Sequence, residues 1–211
     1  MNARTRHEAP RTAPKQLDFF AVPETLPAGF CYAPDLIGGD GAADLATRLA
    51  NLPFQPFDFH GHLANRRVVG FGLRYDYANR RMLEAPPIPD WLISLRETVG
   101  LFAVRPPESF VQVLINEYRP GAGIGWHRDK PHFGEVVGVS LLAPCTLRFR
   151  CKTGETWDRR SLPIDPCSAY LLSGPSRTLW EHSIPPLDQH RYSVTFRTLA
   201  IGPGDEPRER D

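Results

Sequence analysis

Apolar residues in the second half of the chain fall into short runs that are rich in β-branched and aromatic side chains. Gly, Pro and Asp segments separate these runs, as is typical of turns between short strands. We therefore predict five β-strands, in SFVQVLINEY (109–118), EVVGVSLL (135–142), TLRFRC (146–151), SAYLLSG (168–174) and RYSVTFRTLA (191–200).

The first half of the chain has a helical pattern instead. In AADLATRLAN (42–51), Leu45 and Leu49 lie four residues apart, which predicts an amphipathic helix, and Asp40 is placed to cap it. A second helix is predicted in PDWLISLRETVG (89–100). Helices followed by many short strands favour an α+β fold built on a sandwich or jelly roll.

Composition indicates one globular domain with polar ends. The chain has 211 residues, of which 41% are hydrophobic, enough to bury a sizeable core. The polar composition of residues 1–16 and 203–211 predicts disordered tails around a domain at 17–202. Neither a membrane span nor the apolar core of a signal peptide is present, so we expect a cytoplasmic protein.

Cysteines and net charge exclude two simple interpretations. The four cysteines form no C-x-x-C pair, so the sequence predicts buried free thiols, with neither a zinc knuckle nor a disulfide framework. The net charge is only +1, so binding to nucleic acid would have to come from local clusters of cations.

A candidate metal site begins in GWHRDKPHFG (125–134). On an extended backbone, His127 and Asp129 project from the same side, and Arg128 between them points away. His182 in WEHSIPP supplies a third donor, and two histidines with one carboxylate form the ligand set of open non-haem Fe(II) sites. An H-x-D pair alone is more typical of a solvated, charged loop than of a metal site.

The last predicted strand has one apolar and one cationic face. Arg191 and Arg197 are six residues apart, so they share a face with Ser193 and Thr195, while Tyr192, Val194 and Phe196 take the other. Two buried arginines would require an anion, and their forked geometry suits a dicarboxylate. The alternative is a strand whose arginines lie in solvent. Asn116 and Tyr118 form a similar pair before the glycine-rich turn that leads to His127.

Together these motifs resemble the AlkB family of Fe(II)- and 2-oxoglutarate-dependent dioxygenases. They are N-x-Y at 116–118, H-x-D at 127–129, GPSRTLWEHSI around His182 and R-x5-R at 191–197, and the resemblance covers roughly residues 27–199. It implies a double-stranded β-helix (jelly roll) core with an N-terminal α/β extension that carries a nucleotide-recognition lid.

The resemblance also implies a set of site residues. It assigns Fe(II) to His127, Asp129 and His182. It assigns the distal carboxylate of 2-oxoglutarate to Arg191, and it places Arg197 beside the 1-carboxylate region, with Asn116 and Tyr118 completing the hydrogen bonds. The implied reaction uses O2 to demethylate N-alkylated bases in RNA, tRNA or DNA, and releases formaldehyde, succinate and CO2.

The segment NRRVVGFGLRYDYANRR (65–81) is the candidate substrate site. Cations beside aromatic rings suit a surface that holds phosphates and stacks a flipped base. The resemblance places the recognition lid here. The predicted substrate-binding residues are Arg66, Arg67, Phe71, Tyr75 and Tyr77, with Arg74, Arg80 and Arg81 beside them. The alternative is an ordinary hairpin with its aromatic residues in the core and its arginines in solvent.

Other functions remain open on the sequence alone. The same iron chemistry would also hydroxylate a protein side chain or a small metabolite. A cupin-like binding protein without redox activity is a further class, but it would not explain the paired arginines. We expect a monomer.

The segment QLDFF, residues 16–20, resembles the short peptide with which bacterial DNA-processing proteins dock on the replicative sliding clamp. Leu17 with Phe19 or Phe20 would supply the apolar anchors, and Gln16 an orienting hydrogen bond. The alternative is that Phe19 and Phe20 begin the globular domain and pack in its core.

Overall fold

The computed structural model describes residues 26–59, 62–76 and 81–200, with side chains for all of these except 58–59, 62–63, 75–76 and 81–82. The strands are β1 (Phe30–Ala33), β2 (Gln55–Phe59), β3 (His62–Asp76), β4 (Arg81–Glu84), β5 (Phe110–Tyr118), β6 (Ile124–His127), β7 (Phe133–Leu141), β8 (Cys145–Thr153), β9 (Thr156–Ile164), β10 (Ala169–Leu172), β11 (Glu181–Ile184) and β12 (Arg191–Leu199). The α-helices are α1 (Gly39–Ala50), α2 (Ile93–Ala103) and α3 (Gly174–Thr178), and 3-10 turns lie at Asp90–Leu92 and Pro107–Ser109.

The strands form two antiparallel sheets. The larger has the order β1-β10-β7-β12-β5-β3-β2, with β4 paired to β3, and the smaller has the order β6-β11-β8-β9. From β5 onward the chain passes repeatedly from one sheet to the other, and only the hairpin β8–β9 stays in the same sheet. This is the topology of a double-stranded β-helix, so the predicted fold is confirmed.

Two hydrophobic clusters cover the two faces of the large sheet. The first packs α1 and α2 against it, with Leu45 and Leu49 from α1 and Val99 from α2 in contact with the sheet core. The second lies between the sheets, where the rings of Phe30 and Phe149 meet edge to face at a centroid distance of 5.1 Å. The two sheets face each other and leave a cavity between them. Polar side chains of β5 and β12 point into this cavity.

One prediction of local structure was wrong, and seven of the twelve described strands were not predicted. Asp40 does not cap α1, because the helix begins at Gly39 with Gly38 as its N-cap; Asp40 lies in the first turn, where a carboxylate still favours the helix dipole. Strand β9 was not predicted, because TWDRRSLPI has no strict alternation of apolar and polar residues. It is an edge strand with a mostly exposed surface, so packing does not impose that alternation.

No helix in the described part of the chain is long and apolar enough to cross a membrane. The four cysteines are free, as predicted, but only Cys145 is buried, so the prediction that the thiols are buried was wrong for the other three.

Candidate metal centre and adjoining cavity

Three potential metal ligands converge where the small sheet faces the large one. Strands β6 and β11 pair in a register that sets His127 directly opposite His182, with ring centroids 4.3 Å apart. Asp129 follows two residues after the end of β6, and its Oδ2 lies 3.6 Å from His182 Nε2. Ligand atoms of the three side chains lie within 4.8 Å of one another, close enough to share one ion.

A hydrogen bond to the backbone orients His127. His127 Nδ1 lies 2.9 Å from the carbonyl oxygen of Gly125. Because a carbonyl oxygen only accepts hydrogen bonds, the proton must be on Nδ1, which leaves the lone pair on Nε2 free for a metal.

Arg197 orients the carboxylate. Its Nε and Nη2 donate to Asp129 Oδ1 at 3.1 and 2.8 Å, so Oδ2 is left facing His182. Arg197 Nη1 donates to Gln112 Oε1 at 3.0 Å, and Gln112 Nε2 in turn donates to the Leu73 carbonyl at 2.7 Å. A chain of hydrogen bonds across β12, β5 and β3 therefore positions this ligand.

The charge state of the three groups suits a divalent cation. Burial, with a smaller contribution from His127, lowers the pKa of His182 to about 3, and burial also lowers the pKa of His127. Burial alone would raise the pKa of Asp129, but Arg197, His182 and His127 together hold it below its ordinary value. At neutral pH the site therefore holds two neutral imidazoles and one carboxylate, which are the forms that bind metal.

Arg191 forms a second candidate site, for an anion. Its side chain is fully buried, its Nε donates to Ser140 Oγ at 3.1 Å, and its guanidinium carbon lies 5.3 Å from the centre of the Tyr118 ring. Nη1 and Nη2 are both buried and have no hydrogen-bond partner among the described residues. A guanidinium buried in this way is expensive without an anion, and two free Nη groups match one carboxylate.

The three candidate ligands line one cavity of about 570 Å³, and its wall also includes Tyr118, whose ring packs against Arg191. Alternate residues of two neighbouring strands point into it, as the period of two predicts. Its polar wall includes Gln112, Asn116 and Tyr118 from β5, Ser193, Thr195 and Arg197 from β12, and the three candidate ligands His127, Asp129 and His182. The intervening residues Tyr192, Val194 and Phe196 lie in the core beneath the helices, so both predicted faces of β12 are confirmed.

Three residues of the site were missed in the sequence. Gln112 lies four residues before Asn116 on β5, so the period of two would have identified it. Ser140, which holds Arg191, is paired with Ser193 across β7 and β12, and only the register shows this. Tyr170 lies over Gly138, where a Cβ atom would collide with its phenol ring.

The predicted substrate residues lie on both faces of β3. Arg66 and Arg74 line the cavity, and the Arg66 guanidinium carbon lies 4.0 Å from the centre of the Phe57 ring. Phe71 is buried in the hydrophobic core on the other face, so the prediction that it contacts a base was wrong. Arg67 also lies outside the cavity, paired with Glu117.

Before Gly72, the odd-numbered residues of β3 lie on the face of the sheet that points away from the cavity. Arg67 and Phe71 are both on that face, which explains why neither lines the cavity. The side chains of Tyr75 and Arg81, and all of Tyr77 and Arg80, lie outside the described residues.

Arg177 holds the segment that follows Asp129. Its side chain is buried, and its Nη2 donates to the carbonyl oxygens of Lys130 and Phe133, the latter at 2.8 Å. This contact connects α3 to the loop between β6 and β7, and it sets the direction in which the chain leaves the metal site.

We expect Arg177→Met to weaken binding of a divalent ion by about 10- to 100-fold, as for other outer-sphere substitutions. Titration with Co(II), followed by its visible absorption, measures this. Arg48→Met on the exposed side of α1 is the matched control and should bind Co(II) normally. Equal affinities in a folded Arg177→Met variant would contradict the positioning role.

Comparisons with known proteins agree with this geometry. A family profile described as the 2OG-Fe(II) oxygenase superfamily matches residues 53–197. The chain is 29% identical over 147 residues to the alkylated DNA repair protein ALKBH8 homolog of Arabidopsis thaliana, covering 58% of this chain and 42% of that one. It is 28% identical over 131 residues to the probable RNA/DNA demethylase ALKBH6 of Danio rerio, covering 62% and 53%. The chain thus spans about half or less of these relatives.

Solved structures share the fold at low sequence identity. The structure of OsALKBH1 matches with a TM-score of 0.62 at 18% identity, covering 81% of this chain and 96% of that one. A Pseudomonas putida prolyl-4-hydroxylase matches with a TM-score of 0.59 at 11% identity, covering 82% and 93%. Since the profile spans more than half of the residues and the structure brings a His-Asp-His set together, the chain belongs to the 2OG-Fe(II) oxygenase superfamily, whose chemistry uses Fe(II), 2-oxoglutarate and O2.

Proposed function

We propose that this enzyme oxidatively demethylates N-alkylated bases in nucleic acid, RNA, tRNA or DNA, and releases formaldehyde, succinate and CO2. The observation that carries the proposal is the composition of the cavity. The candidate metal ligands lie in the same space as two arginines of β3, Arg66 and Arg74, so a polyanionic substrate can be held beside the reacting centre.

His127, Asp129 and His182 would hold the iron. Two neutral imidazoles and one carboxylate suit Fe(II) and leave coordination positions for the co-substrate and O2. When bound, the metal supplies the activation of O2 that is coupled to decarboxylation of 2-oxoglutarate. The protein holds the ligands in place through Gly125 and Arg197.

Arg191 would bind the distal carboxylate of 2-oxoglutarate through its two unpartnered Nη groups. Ser140 fixes the orientation of the guanidinium, and the Tyr118 ring packs against it. Asn116 and Tyr118 line the same cavity and would donate further hydrogen bonds to the co-substrate. Arg197, which already holds Asp129, would lie next to the 1-carboxylate region.

Arg66 and Arg74 would contact phosphates or the edge of the substrate base. A cavity of about 570 Å³ lies within the usual range for small-molecule sites, so it has room for a single extruded base beside the co-substrate. Two relatives, one named as an alkylated DNA repair protein and one as a probable RNA/DNA demethylase, support this class of substrate.

The Arg66→Gln/Arg74→Gln variant separates substrate binding from the chemical step. We expect weaker binding to single-stranded oligonucleotides and a log–log salt slope that is less steep by about 1.4, because each phosphate contact on a single strand contributes about 0.7. Succinate formation without oligonucleotide should persist. Fluorescence anisotropy across a salt series measures the slope, with Arg48→Gln on α1 as the control.

An unchanged slope and unchanged turnover in that variant would overturn the nucleic-acid assignment. It would favour the alternative, hydroxylation of a protein side chain or a small metabolite by the same iron chemistry. Succinate formation screened against methylated DNA and RNA oligonucleotides, with unmethylated strands as controls, is the direct test of the proposed activity.

Docking on a sliding clamp through residues 16–20 stays a prediction, because this segment lies outside the described residues. If the docking hypothesis holds, a peptide of residues 12–24 binds a bacterial clamp, and the same peptide with Leu17→Ala and Phe20→Ala does not bind. Isothermal calorimetry measures both affinities, and no binding by the unmodified peptide would remove the hypothesis. The predicted monomeric state and the predicted cytoplasmic location also stay predictions.

A further inference from the structure

The outer face of the small sheet, which points away from the cavity, is strongly cationic. In β8, Leu147 and Phe149 are fully buried against the large sheet, so the alternate residues of this strand point outward. The register of β8 with β9 and β11 gives the residues that share this outer face, which are Arg148, Arg150 and Lys152 from β8, Trp157 and Arg159 from β9, Glu181 and Ser183 from β11, and Trp126 from β6.

These charges are poorly balanced within the protein. Glu181 pairs with Arg150 and is the only carboxylate on this face of the four described strands. Arg150 and Arg159 lie directly opposite each other in the β8–β9 pair, an arrangement of like charges that destabilises a sheet. Lys152 and Arg159 are both exposed. Since the whole chain has a net charge of only +1, the excess of cations is local to this face.

Two tryptophans are interleaved with these cations. The Arg150 guanidinium carbon lies 4.6 Å from the centre of the Trp126 ring and 4.4 Å from the centre of the Trp157 ring. The Arg148 guanidinium carbon lies 5.1 Å from the centre of the Trp126 ring. Trp157 is 40% exposed, so part of its ring is available to another partner. Exposed aromatic rings beside cations are the features that bind single-stranded nucleic acid by stacking and charge.

The same face continues into the rim of the cavity. Trp126 and Glu181 each directly precede one of the paired ligands, His127 and His182. Trp126 and Arg128 both line the cavity, and β6 is the edge strand of the small sheet. A strand with one base in the cavity could therefore pass over β6 directly onto the cationic face.

We propose that the outer face of the small sheet binds the part of a single-stranded nucleic acid that flanks the base in the cavity, with phosphates on Arg148, Lys152 and Arg159 and a base against Trp157. This inference rests on the proposed function. It adds a second contact surface, separate from β3, and it predicts that affinity grows with the length of the strand.

The test compares a methylated trinucleotide with a 12-nucleotide strand that carries the same methylated base. The Lys152→Gln/Arg159→Gln variant should lose most of the affinity gained with length, and its log–log salt slope should fall by about 1.4. Trp157→Ala should weaken binding of the longer strand by about fivefold or more, and Trp157→Phe should largely restore it. Turnover of the trinucleotide should be unchanged in all three variants.

Arg48→Gln/Arg105→Gln removes the same charge from exposed positions elsewhere and is the matched control. Equal losses in this control would assign the effect to overall charge and overturn the inference. Normal binding of the longer strand by the variants would also overturn the inference. Binding to vesicles that contain phosphatidylserine is measured in parallel, and a loss seen only with these vesicles would overturn it as well. Failure of the proposed function would look different, because the wild-type enzyme would then turn over neither strand.

Discussion

His182→Ala is expected to abolish succinate formation. The rate should fall by well over 100-fold, since about 100-fold is the loss expected when only an outer-sphere partner of the metal is removed. The imidazole lies in β11 opposite His127, and its Nε2 faces Asp129. Its Nδ1 makes no hydrogen bond within the described residues, so alanine breaks no hydrogen bond of that atom within the protein. Loss of activity should therefore accompany loss of metal binding rather than unfolding.

Two measurements separate these effects. Co(II) absorption should show no metal binding by His182→Ala at concentrations that saturate the wild type, while thermal melting of the apoprotein changes little. His132→Ala, which replaces an exposed imidazole near the site, should retain normal turnover. Wild-type turnover by the His182→Ala variant would remove His182 from the ligand set.

Arg191→Met should raise the Michaelis constant for 2-oxoglutarate by tenfold or more, as expected for loss of roughly 1.5–3 kcal/mol of charge-assisted hydrogen bonding. Methionine has a similar length but carries no charge. Steady-state kinetics with varied 2-oxoglutarate measure the effect. Arg105→Met, which removes an exposed arginine paired with Glu135, is the control.

The melting temperature of the Arg191→Met apoprotein distinguishes a role of Arg191 in binding 2-oxoglutarate from a role in stabilising the fold. Its two Nη groups are buried and unpartnered, so an apolar side chain of similar volume should leave the melting temperature unchanged or raise it. If Arg191 instead served the fold, methionine would lower the melting temperature and leave the Michaelis constant unchanged. That outcome would place the anion elsewhere.

Strand periodicity explains what the sequence could predict. On β12, successive residues alternate between a packed face and a polar face, so positions two apart share a face, and the structure shows both faces as predicted. The same rule applied to β3 would have placed Arg66 and Arg74 on the cavity side and Phe71 in the core. Grouping these residues by composition rather than by position led to the error with Phe71.

Contacts between distant segments could not be predicted in this way. Asp129 lies beyond the end of β6, so the strand alone does not direct its carboxylate; Arg197, 68 residues later, does. Arg177 holds the following loop from α3, and Ser140 holds Arg191 from β7. The Ser140–Arg191 pair depends on the pairing of β7 with β12, and the other two contacts join β12 or α3 to the segment that follows β6. A local sequence pattern contains none of these pairings.

Release of formaldehyde from N-methylated oligonucleotides tests the account most directly. With Fe(II), 2-oxoglutarate and O2, we expect at least one DNA or RNA strand to yield one formaldehyde, and one succinate beyond the amount formed without a strand, for each methyl group removed. Without O2 we expect neither product. The account would be contradicted if succinate formed at the same rate with every strand as without any, and no formaldehyde appeared.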